Sequence, residues 1–429
     1  MNLLPFSLLL LLCIALTSEN FCEASALHPD LPPDCECQPI HDWSISQIPQ
    51  KKLFQVHNVE DFRKAPADTE GIEFWTSDKN AVLESKHLEP LKHLSNLKLL
   101  KIDGFVSVRS GATRPLCKIE TLEHLSLPTR CKNLNLLLEP VSALKNLRSI
   151  ELGDVTDEAL AHLRPCTKLE GLMLWQASKV TDKGLENLAA MRHLKYVTIA
   201  GTRITGNGIR FISQNADLRT LELGSNSELG NELAQYIGNF KNLCYLDLMD
   251  TQVGDPTMVE IAKVPSLLVL GLGRTKVGDN GARSLPALEQ LVELRLFGTN
   301  VSDVGISSVS QCRRLESLNL GETNLTEKSW ESIETLTRLK FLEVPKSIFT
   351  EQALSHMAKL RSLVDFQSGN SGLTDRNIDL ETHLENTLPG LSINMLGMSC
   401  VRWSKAHFER RDKRLREAGV LNEIEPAGR

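Results

Sequence analysis

Aromatic side chains are scarce in this 429-residue chain. They make up 5% of it, and only three are tyrosines, so any aromatic that reaches solvent carries unusual information. A charge excess of one sign is lacking too. Lys and Arg number 48 against 54 Asp and Glu, for a net charge of −6, which gives no electrostatic case for nucleic acid as a partner. The local signatures of catalysis are missing: there is no H-E-x-x-H, no G-x-S-x-G elbow and no G-x-x-x-x-G-K-[ST] loop. The histidines are scattered and no C-x-x-C pair occurs, so no convergent metal-ligand spacing is present. The sequence therefore nominates no catalytic residue, no metal ligand and no cofactor. Long apolar runs are confined to Leu3–Leu16, which leaves no later segment able to cross a membrane.

That early run is followed by polar Thr17-Ser18-Glu19-Asn20 and then Ala24-Ser25-Ala26, an A-x-A cleavage pattern. Residues 1–26 are expected to be an export signal, with a mature start at Leu27 and a destination outside the cell, in the periplasm or at the envelope. A Pro-rich linker and an N-terminal cap are expected over residues 27–68. Export permits disulfides. Cys117 and Cys131 flank one strand at a spacing that allows a bridge, whereas Cys166 and Cys312 each precede a repeat leucine and read as buried fillers of the core.

What the chain has in abundance is repetition. From about Leu97 to Phe366 one phrase returns every 24 or so residues: L-x-x-L-x-L, a polar step, then T-x-V-x-D-x-G. It is plainest in Leu267-Leu268-Val269-Leu270-Gly271-Leu272, which continues through Thr275, Val277 and Asp279 to Gly281. The next copy runs from Leu291, Leu294 and Leu296 through Thr299, Val301 and Asp303 to Gly305. A fixed period of this size predicts a solenoid. The alternating leucines form a short strand with its apolar edge inward. Strands are expected around Leu100, Leu125, Ile150, Leu172, Val197, Leu221, Leu246, Leu270, Leu294, Leu318 and Leu342, with degenerate copies near Ile72 and Leu363. The Thr is expected to bond backbone of neighbouring coils, and pairs such as Thr181-Asp182, Gly254-Asp255, Gly278-Asp279 and Ser302-Asp303 to supply helix N-caps. The repeat body is expected over residues 69–392 as about twelve coils.

The phrase resembles the leucine-rich repeat family, most closely its ribonuclease-inhibitor-like and cysteine-containing subtypes and the secreted repeats of planctomycete-type bacteria. The Cys-x-x-Leu spacing at Cys166 and Cys312 matches the cysteine-containing form. The resemblance implies an α/β solenoid, a curved horseshoe with a parallel sheet on the concave face and short helices on the convex one. It also implies protein binding without enzymatic activity. A similar repeat occurs in ubiquitin-ligase substrate receptors, but residues 41–68 are too short and too polar for an F-box, and the export signal contradicts that role. Residues 393–429 form a basic tail with Arg402, Lys405, Arg410, Arg411, Lys413, Arg414 and Arg416, which also allows a structural envelope role.

Positions three, five and seven of each phrase are expected to face solvent from the sheet. They gather Met173, Trp175, Tyr196, Glu222, Tyr245, Asp247, Met249, Arg295 and Phe297. Aromatic and methionine side chains ringed by charge are the usual composition of a binding hot spot. Glu151, Glu222, Asp247, Glu293 and Glu343 make that face mildly acidic, so the expected ligand is a protein with a basic patch, a glycan being the alternative.

Overall fold

A computed structural model describes residues 52–368, apart from 77, 79, 80, 106, 129 and 130, together with 392–394. The expected signal, Cys35, Cys37, Cys400 and the basic tail lie outside the described residues. The fold divides into two units, one within Glu36–Leu291 and one taking in Val292 onward.

The N-terminal unit carries β1 (Leu53–Val56), β2 (Gly71–Trp75), β3 (Val82–Leu83), β4 (Leu99–Asp103), β5 (Ser107–Val108), β6 (His124–Ser126), β7 (Ser149–Leu152), β8 (Gly171–Trp175), β9 (Tyr196–Ala200), β10 (Thr220–Glu222), β11 (Tyr245–Asp247) and β12 (Val269–Gly271). All but β3 and β5 join one parallel sheet in chain order, while β3 and β5 pair separately. The C-terminal unit repeats the arrangement with β13 (Glu293–Arg295), β14 (Ser317–Asn319), β15 (Phe341–Val344), β16 (Asp365–Ser368) and β17 (Ser392–Asn394). Every strand expected from the leucine phrase is present. β1 is an addition: Leu53-Phe54-Gln55-Val56 lacks the phrase yet pairs in parallel with β2, so part of the segment read as a cap extends the sheet.

Parallel pairing follows from the length of the phrase. Each strand is too short to fold back on itself, and the return leg brings the chain round to the same starting side. The phrase leucines at positions four and six, such as Leu172 and Leu174, Val197 and Ile199, or Leu246 and Leu248, are fully buried. Cys166 and Cys312 are buried as core fillers, and burial pushes both thiols up to about 11. Cys117 and Cys131 are free thiols rather than a bridge. Their sulfurs lie against separate carbonyls instead, Cys117 Sγ at 3.2 Å from Pro140 O and Cys131 Sγ at 3.6 Å from Lys132 O.

The return legs are short helical turns, the longest being Asp255–Ile261 and Asp303–Val309. The caps are Thr181, Gly254, Gly278 and Ser302, with the recurring Asp one residue inside. That carboxylate does more than favour its own helix N-terminus: it reaches the cap of the next coil. Asp157 accepts from Thr181 N at 2.8 Å and Thr181 Oγ1 at 2.7 Å, and Asp182 does the same for Thr205 at 2.8 and 2.7 Å. Asp255 accepts from Gly278 N at 2.7 Å, and Asp303 from Thr326 N at 2.9 Å. The glycine of the phrase is explained by the same clamp. A Cβ at Gly184, Gly208 or Gly281 would collide with the carboxylate of Asp157, Asp182 or Asp255 in the preceding coil.

The threonine row corrects the expected coil-to-coil ladder. Thr251, Thr275, Thr299 and Thr323 each donate to a carbonyl three residues back in their own coil. The row crosses between coils at Thr202 and Asn226: the Asn226 amide oxygen accepts from Thr202 N and Oγ1 at 2.7 and 2.6 Å, while its NH2 donates to Ile199 O and Leu223 O. Just before this row each coil turns through a left-handed residue. Gly201 and Gly298 serve twice, but Gln176, Ser225, Asp250, Arg274 and Glu322 hold positive φ with a side chain in place.

Two stability changes follow. Gly208→Ala should lower stability by about 1–3 kcal/mol through overpacking against Asp182. In urea unfolding, Gly208→Ala with Asp182→Ala should cost less than the two single changes summed, because the second removes what the first strikes. Ser225→Gly should raise stability by about 1 kcal/mol by relieving a left-handed backbone at φ 60°.

Candidate functional site

The strand faces opposite the leucines hold seven of the nine binding candidates, divided between the units, and Met249 and Phe297 lie two residues past the ends of β11 and β13. In the N-terminal unit the in-register row runs Glu73, Lys101, Ser126, Glu151, Met173, Thr198, Glu222, Asp247 and Gly271. The neighbouring row brings Tyr196, Thr220, Tyr245 and Val269 into line. The register is as expected, but full solvent exposure is not. Met173, Tyr196 and Asp247 are buried, at 3%, 2% and 3% exposure, and Trp175, Glu222, Tyr245 and Met249 are half-buried.

Parallel neighbours about 4.8 Å apart set their side chains shoulder to shoulder, and large ones shield each other. Met173 and Tyr196 form a small apolar cluster of their own, distinct from the leucine core, and Trp175 packs against it. The indole Nε1 of Trp175 and the hydroxyl of Thr220 are both buried with no hydrogen-bond partner.

The polar side chains of this face are held in place. Ser126 Oγ donates to Glu151 at 2.7 Å, Thr198 Oγ1 to Glu222 at 3.2 Å, and Asp247 accepts from Met249 N at 2.8 Å. Gly271 leaves the space that the Asp247 carboxylate fills. His124 Nδ1 lies 2.8 Å from Ser149 Oγ. Burial, with Arg148 adding repulsion, pushes His124 down to about 4, so the imidazole is neutral at pH 7.

The sequence reading passed over a second feature of this unit. The residue after the first leucine of successive phrases alternates in sign: Lys98, Glu123, Arg148, Glu170, Lys195. Lys98 pairs with Glu70 at 3.0 Å, Arg148 Nη1 with Glu123 at 3.6 Å, and Lys195 with Glu170 at 3.0 Å, while Arg148 also bonds Glu170. Together with Lys168, His193 and Asp217 these side chains line an open groove of about 910 Å³. Its charges neutralise one another, so it offers no net field for an ionic ligand. Reading the period one position off the leucines would have found it.

In the C-terminal unit Arg295 is half-buried and ion-paired with Glu293 at 2.5 Å, and Phe297 is half-buried. Arg295, Asn319, Glu343 and Gln367 share one row. Burial pushes Glu343 up to about 7, against a hydrogen bond from Asn319 and with repulsion from Glu322 and Asp365. Among the described residues no cluster of His, Cys, Asp and Glu is arranged to hold a metal ion.

A scan against protein-family profiles finds no match. The solved structure of an internalin, InlF of Listeria monocytogenes, superposes with a TM-score of 0.57 at 18% identity, over 78% of this chain and 92% of that one. The LRR ectodomain of the membrane receptor kinase GASSHO1/SCHENGEN3 from Arabidopsis thaliana covers 80% of this chain and 43% of its own, at 14% identity and a TM-score of 0.44. A Trypanosoma equiperdum protein, whose name proposes a role in adenylate cyclase regulation, is 29% identical over 152 residues. That stretch is 35% of this chain, and the chain spans only 22% of that relative's length. The fold is a leucine-rich repeat solenoid.

Glu343 makes stability depend on pH. Its folded value near 7 lies above the ordinary 4.5, so its contribution is full below 4.5 and is lost as pH rises through 7. Between about pH 5 and 7.5 the stability of Glu343→Gln should therefore gain on the wild type, as read by urea midpoints across that range.

Proposed function

We propose that the protein is an exported, non-enzymatic binding module of the ribonuclease-inhibitor-like repeat kind, which holds a protein ligand on its strand face. One observation carries the reading. Met173, Tyr196 and Trp175 form an apolar cluster outside the leucine core, on a face whose carboxylates Glu151, Glu222 and Asp247 are oriented by hydrogen bonds. A fold of stacked leucines does not need a second cluster on its outer sheet face, whereas an interface does: apolar anchors ringed by fixed polar groups.

The face is preformed by the parallel sheet, which limits the ordering cost of association. Its charge favours a partner with a basic patch. The internalin likeness supports a protein-binding scaffold through the fold alone. The apolar run with its A-x-A pattern supports export.

The variants that test this differ in burial. Tyr245→Ala removes a half-buried ring and should leave the melting temperature almost unchanged while weakening capture of the partner from envelope and culture fluid. Tyr196→Ala opens a cavity in the Met173 cluster and should cost about 3 kcal/mol of stability. Undiminished capture by the Tyr245→Ala and Trp175→Ala variants would remove the strand face as the binding site.

A further inference from the structure

Two short motifs in the C-terminal unit coincide with the repeat without being required by it. Asn300-Val301-Ser302 and Asn324-Leu325-Thr326 fit N-x-[ST], the acceptor pattern for N-linked sugar, and no other copy occurs in the chain. Both fall at the same place in successive coils, between the strand and the helical leg. The middle residues Val301 and Leu325 tuck into the core, at 0% and 4% exposure. Side chains alternate along an extended stretch, so the flanking residues turn outward. Asn300, Asn324 and Thr326 are exposed, and Ser302 is half-buried.

The repeat accounts for the hydroxyls. Each caps its own helical leg, Ser302 Oγ accepting from Val304 N and Thr326 Oγ1 from Lys328 N, both at 3.3 Å. It does not account for the asparagines. In the coils from Val155 to Val277 their place is taken by Asp154, Lys179, Arg203, Glu228, Gln252 and Lys276. Charged side chains there pair along the row, Lys179 with Asp154 at 3.3 Å and Arg203 with Glu228 at 2.9 Å. A short neutral amide forfeits that pairing, yet in this set it is the one side chain whose nitrogen takes a sugar. It stands at that place in two coils, and in both the cap two residues on is a hydroxyl.

We propose that Asn300 and Asn324 are acceptors of N-linked oligosaccharide, attached as the chain is exported and before the C-terminal unit stacks. The inference lies beyond the ligand-binding reading and shares with it only the export step. The donor is an oligosaccharide linked to a polyprenyl diphosphate. The side-chain nitrogen bonds the anomeric carbon, and the bond from that carbon to the diphosphate oxygen breaks. The amide loses one proton and the polyprenyl diphosphate departs. Attachment precedes stacking because the hydroxyl that completes the acceptor motif is committed in the folded coil. Thr326 Oγ1 donates to Asp303 of the preceding coil as well as capping its own leg. The folded unit then leaves the sugars room, since both asparagines are exposed.

The test takes the full chain from its native culture fluid and envelope. Peptides spanning each asparagine are weighed before and after an amidase removes N-linked sugar in heavy-oxygen water, which labels every acceptor. Label at Asn300 and Asn324, and at no other asparagine, is the expected result. Asn300→Gln and Asn324→Gln should each lose one sugar chain, and the melting temperature of the deglycosylated protein should not change, because both side chains are exposed. Thr326→Ser keeps the hydroxyl and should keep the sugar on Asn324, whereas Thr326→Val, of nearly the same shape, should lose it.

The N-terminus of the recovered chain separates the ways of failing. Unlabelled asparagines in a chain that starts at Leu27 would overturn the inference and leave the export reading standing. Unlabelled asparagines in a chain that still carries Met1 would overturn both. Label that stays on Asn324 in Thr326→Val would show that the motif is not what directs the sugar, and would sink the assignment.

Discussion

No coil of this chain can bury its own apolar edge. One phrase offers a few leucines and a single turn of helix, too little to offset the entropy of ordering about 24 residues. Stability therefore resides in the coil-to-coil contact, and every other feature is subordinate to keeping successive coils in register. The Asp carboxylate is the clearest device for this. It sits at the first position of its own helical leg, where negative charge is favoured, and accepts from the cap of the following coil. The glycine beneath it is required because the carboxylate occupies the place of a Cβ. Thus the D-x-G of the phrase records contacts in two directions, with the Asp facing the next coil and the Gly the previous one.

Much of this was legible because period and burial coincide. The positions of the leucines gave the strands, since a side chain that recurs every second residue at a fixed repeat can only be the inner edge of a stack. What escaped was whatever depends on the neighbouring coil rather than on its own. The Asp reads as a helix cap when one coil is viewed alone, and the bonds from Thr205 N and Oγ1 at 2.8 and 2.7 Å show the second role of Asp182. Tyr196 sits at a position that alternation assigns to solvent, yet Met173 and Trp175 on the adjoining strand cover it. β1 was missed for the opposite reason: Leu53–Val56 has strand composition without the phrase, and at the sheet's edge it has only β2 to satisfy.

The same stacking fixes the side chains of the strand face in rows. Each side chain on it stands in a row fixed by the hydrogen-bond ladder, so polar groups are oriented before any ligand arrives. His124 illustrates the limit. It lies within 2.8 Å of Ser149 Oγ, a spacing that invites a nucleophile–base reading. Its imidazole is buried and held near 4, however, which makes it a weak base.

The residues that end the strands argue in the same direction. In the N-terminal unit Gln176, Ser225, Asp250 and Arg274 occupy the left-handed conformation that Gly201 adopts without strain. A side chain there costs on the order of 1–2 kcal/mol. Each follows directly after a position-seven residue, Trp175, Gly224, Met249 or Gly273, and so borders the strand face on one side. The backbone strain holds a polar side chain at each of these points, and the outcome is a hydrophilic margin beside a partly apolar surface. A solenoid whose only task was to stay folded would gain by having glycine at all of them. That it carries Gln, Ser, Asp and Arg instead means the strained turns set a polar edge along that side of the sheet at some cost in stability.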